Sequence, residues 1–344
     1  MSKRPRLAIL TLGIGCLLVS LATAAQAAAI YNFTNFNGPG SGTSAGAGTN
    51  MNGIANNGAA VGFGIDNAGN FTNFVRNPIG TYTTLNINGS TSAMALGINS
   101  AGDVVGTANG AAFILPFGGS AVTLTTPANT TAAFGINDMG NIVGQFTSAM
   151  GTMPGFFLAN NSGSGLITIN APSGPNAVNA QGINNNRLIA GFYVGTDGQD
   201  HGFMALVSNA VGGTLTGTAI ADPTIPPVMG EPGATFVFSQ ILGVNDHGIA
   251  VGYYGDSTTS QHGFLYNTNT GQYTFIDDPA EMFDNGVEVT QITGITNSGE
   301  ITGFYSDANG VFHGFVASPV PEPTSLTLAG AGLLAAWLAK RRKL

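Results

Sequence analysis

The chain reads as an all-β protein: a six-bladed β-propeller built from repeats of about 45 residues. Three observations predict this. One glycine-bounded motif recurs six times, each copy is followed by short alternating strands, and the two ends of the repeat region complement each other. The motif is clearest in Gly135-Ile-Asn-Asp-Met-Gly-Asn-Ile-Val-Gly144 and Gly243-Val-Asn-Asp-His-Gly-Ile-Ala-Val-Gly252, with four more copies starting at Gly53, Gly97, Gly182 and Gly294. Successive copies lie 38 to 61 residues apart, a spread that argues against the constant coils of a linear β-solenoid. Gly135, Asn137 and Gly144 therefore define the repeat.

Each element of the unit has a local cause. Asn or Asp caps the backbone of its own turn, and the following Gly takes the left-handed position that closes a short hairpin. The fourth copy, Asn184-Asn185-Asn186-Arg187, has Arg187 where that Gly belongs, so its turn is expected to shift by one residue and place Asn186 in the left-handed region. A second strand follows, as in Ile189-Ala-Gly-Phe-Tyr193 and Ile301-Thr-Gly-Phe-Tyr305. After a Gly/Asp/Asn-rich loop, three units open a third strand with His201-Gly202-Phe203, His262-Gly263-Phe264 and His313-Gly314-Phe315; Phe74, Phe113 and Phe156 mark weaker equivalents. Leu166-Ile-Thr-Ile169 and Tyr273-Thr-Phe-Ile276 read as fourth strands. The last unit stops without one, while Ile30-Tyr-Asn-Phe-Thr-Asn-Phe36 is a strand without its unit. The N-terminal strand is expected to close the ring beside residues 311–317 and remove a free sheet edge.

The flanks carry addresses. Lys3, Arg4 and Arg6, then apolar Leu7 to Ala22, then Ala25-Gln26-Ala27, read as a secretory signal peptide over residues 1–27. Cys16 is the single cysteine and lies in that apolar stretch, so the exported body has no disulfide to stabilise it. Residues 319–344 hold Pro321-Glu322-Pro323, an apolar run from Thr324 to Ala339, and the basic tail Lys340, Arg341, Arg342 and Lys343. Proline on both sides of Glu322 fixes an extended, protruding backbone. The run reads as a short transmembrane helix held by its basic end on the cytoplasmic side. In this order the three parts resemble the PEP-CTERM sorting domain of Gram-negative bacteria. The resemblance implies export across the inner membrane, processing by an exosortase-type membrane protease, and delivery to the cell surface or extracellular space.

The body over residues 28–318 holds sixteen of the seventeen acidic residues but only Arg76 and Arg187 among the basic ones. That balance lacks the footprint needed for nucleic acid or anionic lipid. The repeats resemble the HAF-type extracellular repeats of bacterial secreted proteins over most of residues 50–317. Here the variant is His-Gly-Phe, the first three units lack the histidine, and the family implies no defined activity.

No catalytic constellation stands out. His201, His262 and His313 occupy equivalent places; facing the channel they would form a metal site. Without an accompanying carboxylate or cysteine pattern, each is expected to bond its own blade's backbone, so neither metal nor cofactor is expected. His247 sits in a turn and is expected to be solvated. Asp277, Asp278, Glu281, Asp284 and Glu288 form the densest acidic stretch, expected to be a solvated loop, with glycoside chemistry as the sharper alternative. The loops Gly195–Asp200 and Asp307–Gly310 hint at calcium but lack the terminal Glu of a full calcium loop, and no Gly-x-Ser-x-Gly elbow occurs. The expectation is a non-enzymatic matrix or envelope propeller associated with exopolysaccharide through polar, aromatic-bearing faces; the alternative is a polysaccharide hydrolase or lyase.

Overall fold

A computed structural model describes residues 31–161, 165–173, 177–225, 233–280 and 287–320. The signal segment and the sorting tail, including Pro321, Glu322, Pro323, Lys340, Arg341, Arg342 and Lys343, lie outside these residues. Among the described residues no helix is long and apolar enough to cross a membrane.

The structure is all-β. Its innermost strands, in chain order, are Gly48–Ile54, Met94–Ile98, Thr130–Ile136, Val178–Ile183, Phe236–Val244 and Thr290–Ile295. Each begins an antiparallel sheet of four strands, here called blades one to six. Blade five is representative: Phe236–Val244, Ile249–Asp256, Gln261–Asn267 and Gln272–Phe275 pair in sequence. Blades six and one are joined by a single parallel pair, Gly48 with Phe312.

Blade six takes its fourth strand from the other end of the chain. Tyr31–Phe36 runs antiparallel to Phe312–Pro319, from Tyr31 opposite Pro319 to Phe36 opposite Gly314. The Phe33 ring meets Phe315 edge-on at 5.1 Å, and the Tyr31 hydroxyl donates to the Gly299 carbonyl at 3.0 Å. The expected closure is present.

The repeat glycines answer two close approaches. Every innermost strand carries a register shift just before the first motif glycine. In blade three this bulge aims the Ala132 carbonyl across the sheet, so a Cβ on Gly144 would lie 2.1 Å from that oxygen. The first motif glycines meet one another around the axis: a Cβ on Gly135 would lie 2.5 Å from the Gln181 carbonyl of blade four, and one on Gly294 would lie 3.0 Å from the Ile54 nitrogen of blade one. A side chain in either ring would force the backbones apart.

The core lies between blades. Phe74, Phe113, Phe156, Phe203, Phe264 and Phe315, one per third strand, are all fully or almost fully buried. In one such layer Phe157 and Val143 of blade three pack with Ile189 and Phe203 of blade four. The long fourth unit has a use for its extra length. Thr214–Thr216 leaves blade four and pairs in parallel with Ile167–Asn170, covering the outer edge of blade three.

One local expectation fails. Arg187 itself adopts φ 61°, and its N–H donates to the Asn184 carbonyl at 3.1 Å, as Gly248 does to Asn245 at 3.1 Å. The turn does not shift because blade five holds Asn184 and Asn185 in register: Asn184 Nδ2 donates to the Asn245 carbonyl, and the Asn185 N–H donates to Asp246 Oδ1. Arg187→Gly is therefore expected to stabilise the protein by about 1 kcal/mol, raising Tm by about 2–4 °C in a thermal melt. An unchanged or lower Tm would contradict a strained turn.

Candidate functional site

Two polar constellations recur around the ring. The first surrounds the axis at the end formed by the motif turns. Asn137 is buried, and its Oδ1 accepts the N–H groups of Met139 and Asn141 at 3.1 and 3.0 Å, closing its own turn. Its Nδ2 donates to the Asn184 carbonyl of the next blade at 2.9 Å. Asn99, Asn184 and Asn245 repeat that donation, to Asn137, Asn245 and Thr296. The position thus needs an acceptor and a donor in one short side chain, which selects Asn over Asp.

One residue further on, Asp138, Asn185, Asp246, Asn297 and Asn56 form a second ring at the mouth. The Asp138 N–H donates to Asn185 Oδ1 at 3.0 Å, Asn185 to Asp246 at 2.7 Å, Asp246 to Asn297 at 2.8 Å, and Asn297 to Asn56 at 2.8 Å. Asn185 Nδ2 also bridges the carboxylates of Asp138 and Asp246. Burial alone would raise the Asp138 pKa, but hydrogen bonds from Ser100, Asn185 and Asn56 outweigh it and hold the carboxyl below its usual range. These two rings spend their polar groups on one another, so they act as a clasp between blades.

The second constellation lies at the opposite end of blades four to six, where the third strand starts. His201, His262 and His313 face Tyr193, Tyr254 and Tyr305 across the strand pair, with ring centroids 5.9, 5.1 and 5.1 Å apart. Each imidazole also has polar partners on both ring nitrogens' sides. His201 Nε2 is 3.0 Å from Asp197 Oδ2, and its Nδ1 is 2.9 Å from Asp222 Oδ2. His313 Nε2 is 3.3 Å from Asp307 Oδ2, and its Nδ1 is 2.8 Å from Asn37 Oδ1. His262 Nδ1 is 2.9 Å from Asp277 Oδ2 and 3.6 Å from Glu288 Oε2, while Nε2 lies 3.7 Å from Asp256 Oδ2. One partner comes from the loop before the third strand, and the other from the segment leaving the fourth. In blade six that second partner is Asn37, just past the closing N-terminal strand.

Burial works against a charged imidazole at His201 and His262. Hydrogen bonds and the fields of the surrounding carboxylates outweigh it, and both pKa values are raised. The Asp197 carboxyl is lowered by the Gln199 N–H and then by His201. The clefts differ in access. The His201 side chain is 18% exposed and Asp197 55%, whereas His262 is 1% exposed and Asp256 0%.

These contacts correct several expectations. The histidines bond side chains rather than their own backbone, and they remain in separate blades instead of converging on the channel. Asp197 and Asp307 do build turns, accepting the N–H groups of Gln199 and Asn309, but each also reaches its histidine. The described carboxylates of the acidic stretch are not solvated: Asp278 is fully buried, accepting from Asn35 and Ala280, and Asp277 turns inward. Burial raises the Asp278 pKa, partly offset by those hydrogen bonds. Glu281 and Asp284 lie outside the described residues. Phe117 is the one exposed aromatic side chain among the described residues. An Asp four or six residues before each histidine was a legible signal for the first partner. Asp222, Asn37 and Asp277 were not, because only the closed blade brings them to the imidazole.

Several solved structures resemble this one at low identity. TolB from Acinetobacter baumannii is 11% identical with a TM-score of 0.41, over 72% of this chain and 60% of TolB. A mutant Aleuria aurantia lectin in complex with Fucα1-6GlcNAc is 10% identical with a TM-score of 0.42, over 79% and 97% of the two chains. A lectin from Burkholderia pseudomallei is 13% identical with a TM-score of 0.34, over 78% and 96%. No curated protein matches the chain significantly. Residues 319–343 match the family model of the PEP-CTERM protein-sorting motif, so the chain carries the sorting signal of an exported protein.

Proposed function

We propose that this chain is an exported, non-enzymatic β-propeller sorted to the cell envelope or extracellular matrix, where the face bearing the histidine clefts binds polysaccharide. The observation that carries the reading is the sorting motif at residues 319–343. An exosortase-type membrane protease would process the chain at Pro321-Glu322-Pro323.

The half-open clefts of blades four and six supply the ligand chemistry. Their carboxylates accept hydrogen bonds from sugar hydroxyls, and the partly exposed imidazoles of His201 and His313 lie beside them. Two related clefts on one rigid ring engage a repeating polymer with an avidity above that of either alone. The hydrolase or lyase alternative loses support because Asp277 is tied to His262 and Asp278 is buried.

The test uses exopolysaccharide from the producing organism and the purified full chain. Saturable binding is expected, weakened at least tenfold when Asp197→Asn and Asp307→Asn are combined. Binding unaffected by that pair would remove the clefts from the reading. A polymer mass that falls with time would overturn the non-enzymatic part.

A further inference from the structure

The cleft of blade five is closed and crowded with negative charge. Asp256, Asp277 and Glu288 surround a single imidazole, with side-chain exposures of 0%, 13% and 17%. The two arginines among the described residues lie elsewhere, Arg76 in the third strand of blade one and Arg187 in an exposed turn of blade four. Even with His262 protonated, three carboxylates face one positive charge, an arrangement that burial makes costly. Three buried polar atoms also lack a hydrogen-bond partner here: His262 Nε2, Asp256 Oδ2 and the Tyr254 hydroxyl. Tyr254 is fully buried and lies within the fields of all three carboxylates.

One cation would account for these features together. Ligand atoms of His262, Asp277 and Glu288 all lie within 4.8 Å of one another, close enough to share an ion. His262 Nδ1 faces both carboxylates, at 2.9 and 3.6 Å. Coordination through Nδ1 would replace its hydrogen bond to Asp277 and leave the ring proton on Nε2. That N–H then points to Asp256 Oδ2, now 3.7 Å away, so a small closure gives two orphaned atoms each other as partners. A carboxylate behind a ligating histidine is the usual second support of a metal site. We infer that blade five holds one divalent transition-metal ion on His262 Nδ1, Asp277 and Glu288, with Asp256 orienting the imidazole.

The donor set selects the class of ion. One imidazole nitrogen with carboxylate oxygens suits zinc or manganese, whereas calcium favours an all-oxygen shell. The neighbouring clefts do not repeat the site. His201 has both ring nitrogens hydrogen-bonded, and His313 meets Asn37 where blade five offers Asp277. Metal uptake releases any proton held on Nδ1, so affinity rises with pH.

The full chain, stripped with a chelator and dialysed, is titrated with zinc chloride by calorimetry. One ion per chain is expected, with Tm several degrees higher when saturated. Glu288→Gln and Asp277→Asn should each weaken binding at least tenfold, while Asp197→Asn in blade four leaves it unchanged. X-ray absorption of the zinc-loaded wild-type protein should show one imidazole among oxygen ligands, a readout independent of whether a variant folds. Absence of stoichiometric zinc binding, equal binding by Glu288→Gln, or a shell without imidazole would each overturn the site. Binding of calcium but not zinc would overturn the nitrogen-ligated assignment.

Discussion

Removing residues 31–37 is expected to lower the unfolding midpoint by roughly 10 °C or more. The segment supplies the whole outer strand of blade six, from Tyr31 opposite Pro319 to Phe36 opposite Gly314. It also packs Tyr31 and Phe33 on a core containing Ile301, Tyr305 and Phe315. Losing one fully buried aromatic side chain commonly costs about 3–5 kcal/mol, and two half-buried ones leave together here. The truncation also exposes the row of backbone groups on Phe312–Pro319, so the variant should associate at concentrations where the intact chain does not. A synthetic peptide spanning residues 30–37 should restore much of the midpoint, because it re-forms the same pairing. A truncated chain that melts at the original temperature would mean that the strand decorates the ring without closing it. Differential scanning fluorimetry with and without the peptide distinguishes the two.

Gly144→Ala is the second large effect, at about 3 kcal/mol of destabilisation. The added methyl would sit 2.1 Å from the Ala132 carbonyl and 2.6 Å from the Phe156 ring, and the first of these is backbone. Relief requires the bulge in the innermost strand to unwind, which also disturbs Gly135 and its approach to blade four. The same geometry recurs at Gly62, Gly106, Gly191, Gly252 and Gly303, where an added methyl would fall between 1.9 and 2.2 Å from the facing carbonyl. Alanine at exposed Gly119, whose nearest neighbour would be 3.3 Å away, serves as the control and should change stability by less than about 0.5 kcal/mol. Equal denaturation midpoints for the two variants would refute the steric account of the motif.

Much of the architecture was legible because each unit repeats the same local chemistry. Gly135, Asn137 and Gly144 announced a turn, a hairpin and a second strand, and the structure shows these at all six positions. The unmatched strand at residues 30–36 and the truncated last unit pointed to each other for the same reason. The sequence misled where a local rule met a contact from another blade. Arg187 takes a left-handed conformation that its own turn disfavours, since Asn184 and Asn185 are bonded to Asn245 and Asp246 of blade five. Asp277 and Asp278 looked like part of a solvated run, because charge density along the chain says nothing about which neighbour a loop meets.

The amino-acid sequence alone determined the all-β class, the six units, the closing strand and the sorting motif at the C-terminal flank. Each follows from patterns within a few residues of one another: alternation, turn chemistry and an ordered tail. The tertiary structure decided the pairing of His201 with Asp222, of His313 with Asn37, and of His262 with Asp277 and Glu288. Those partners lie 15 to 276 residues from their histidines, and they meet only because ring closure fixes where each loop ends. Burial decided the rest. The same His-Gly-Phe motif gives a partly exposed histidine in blade four and a buried, charge-crowded one in blade five, because different carboxylates meet each imidazole.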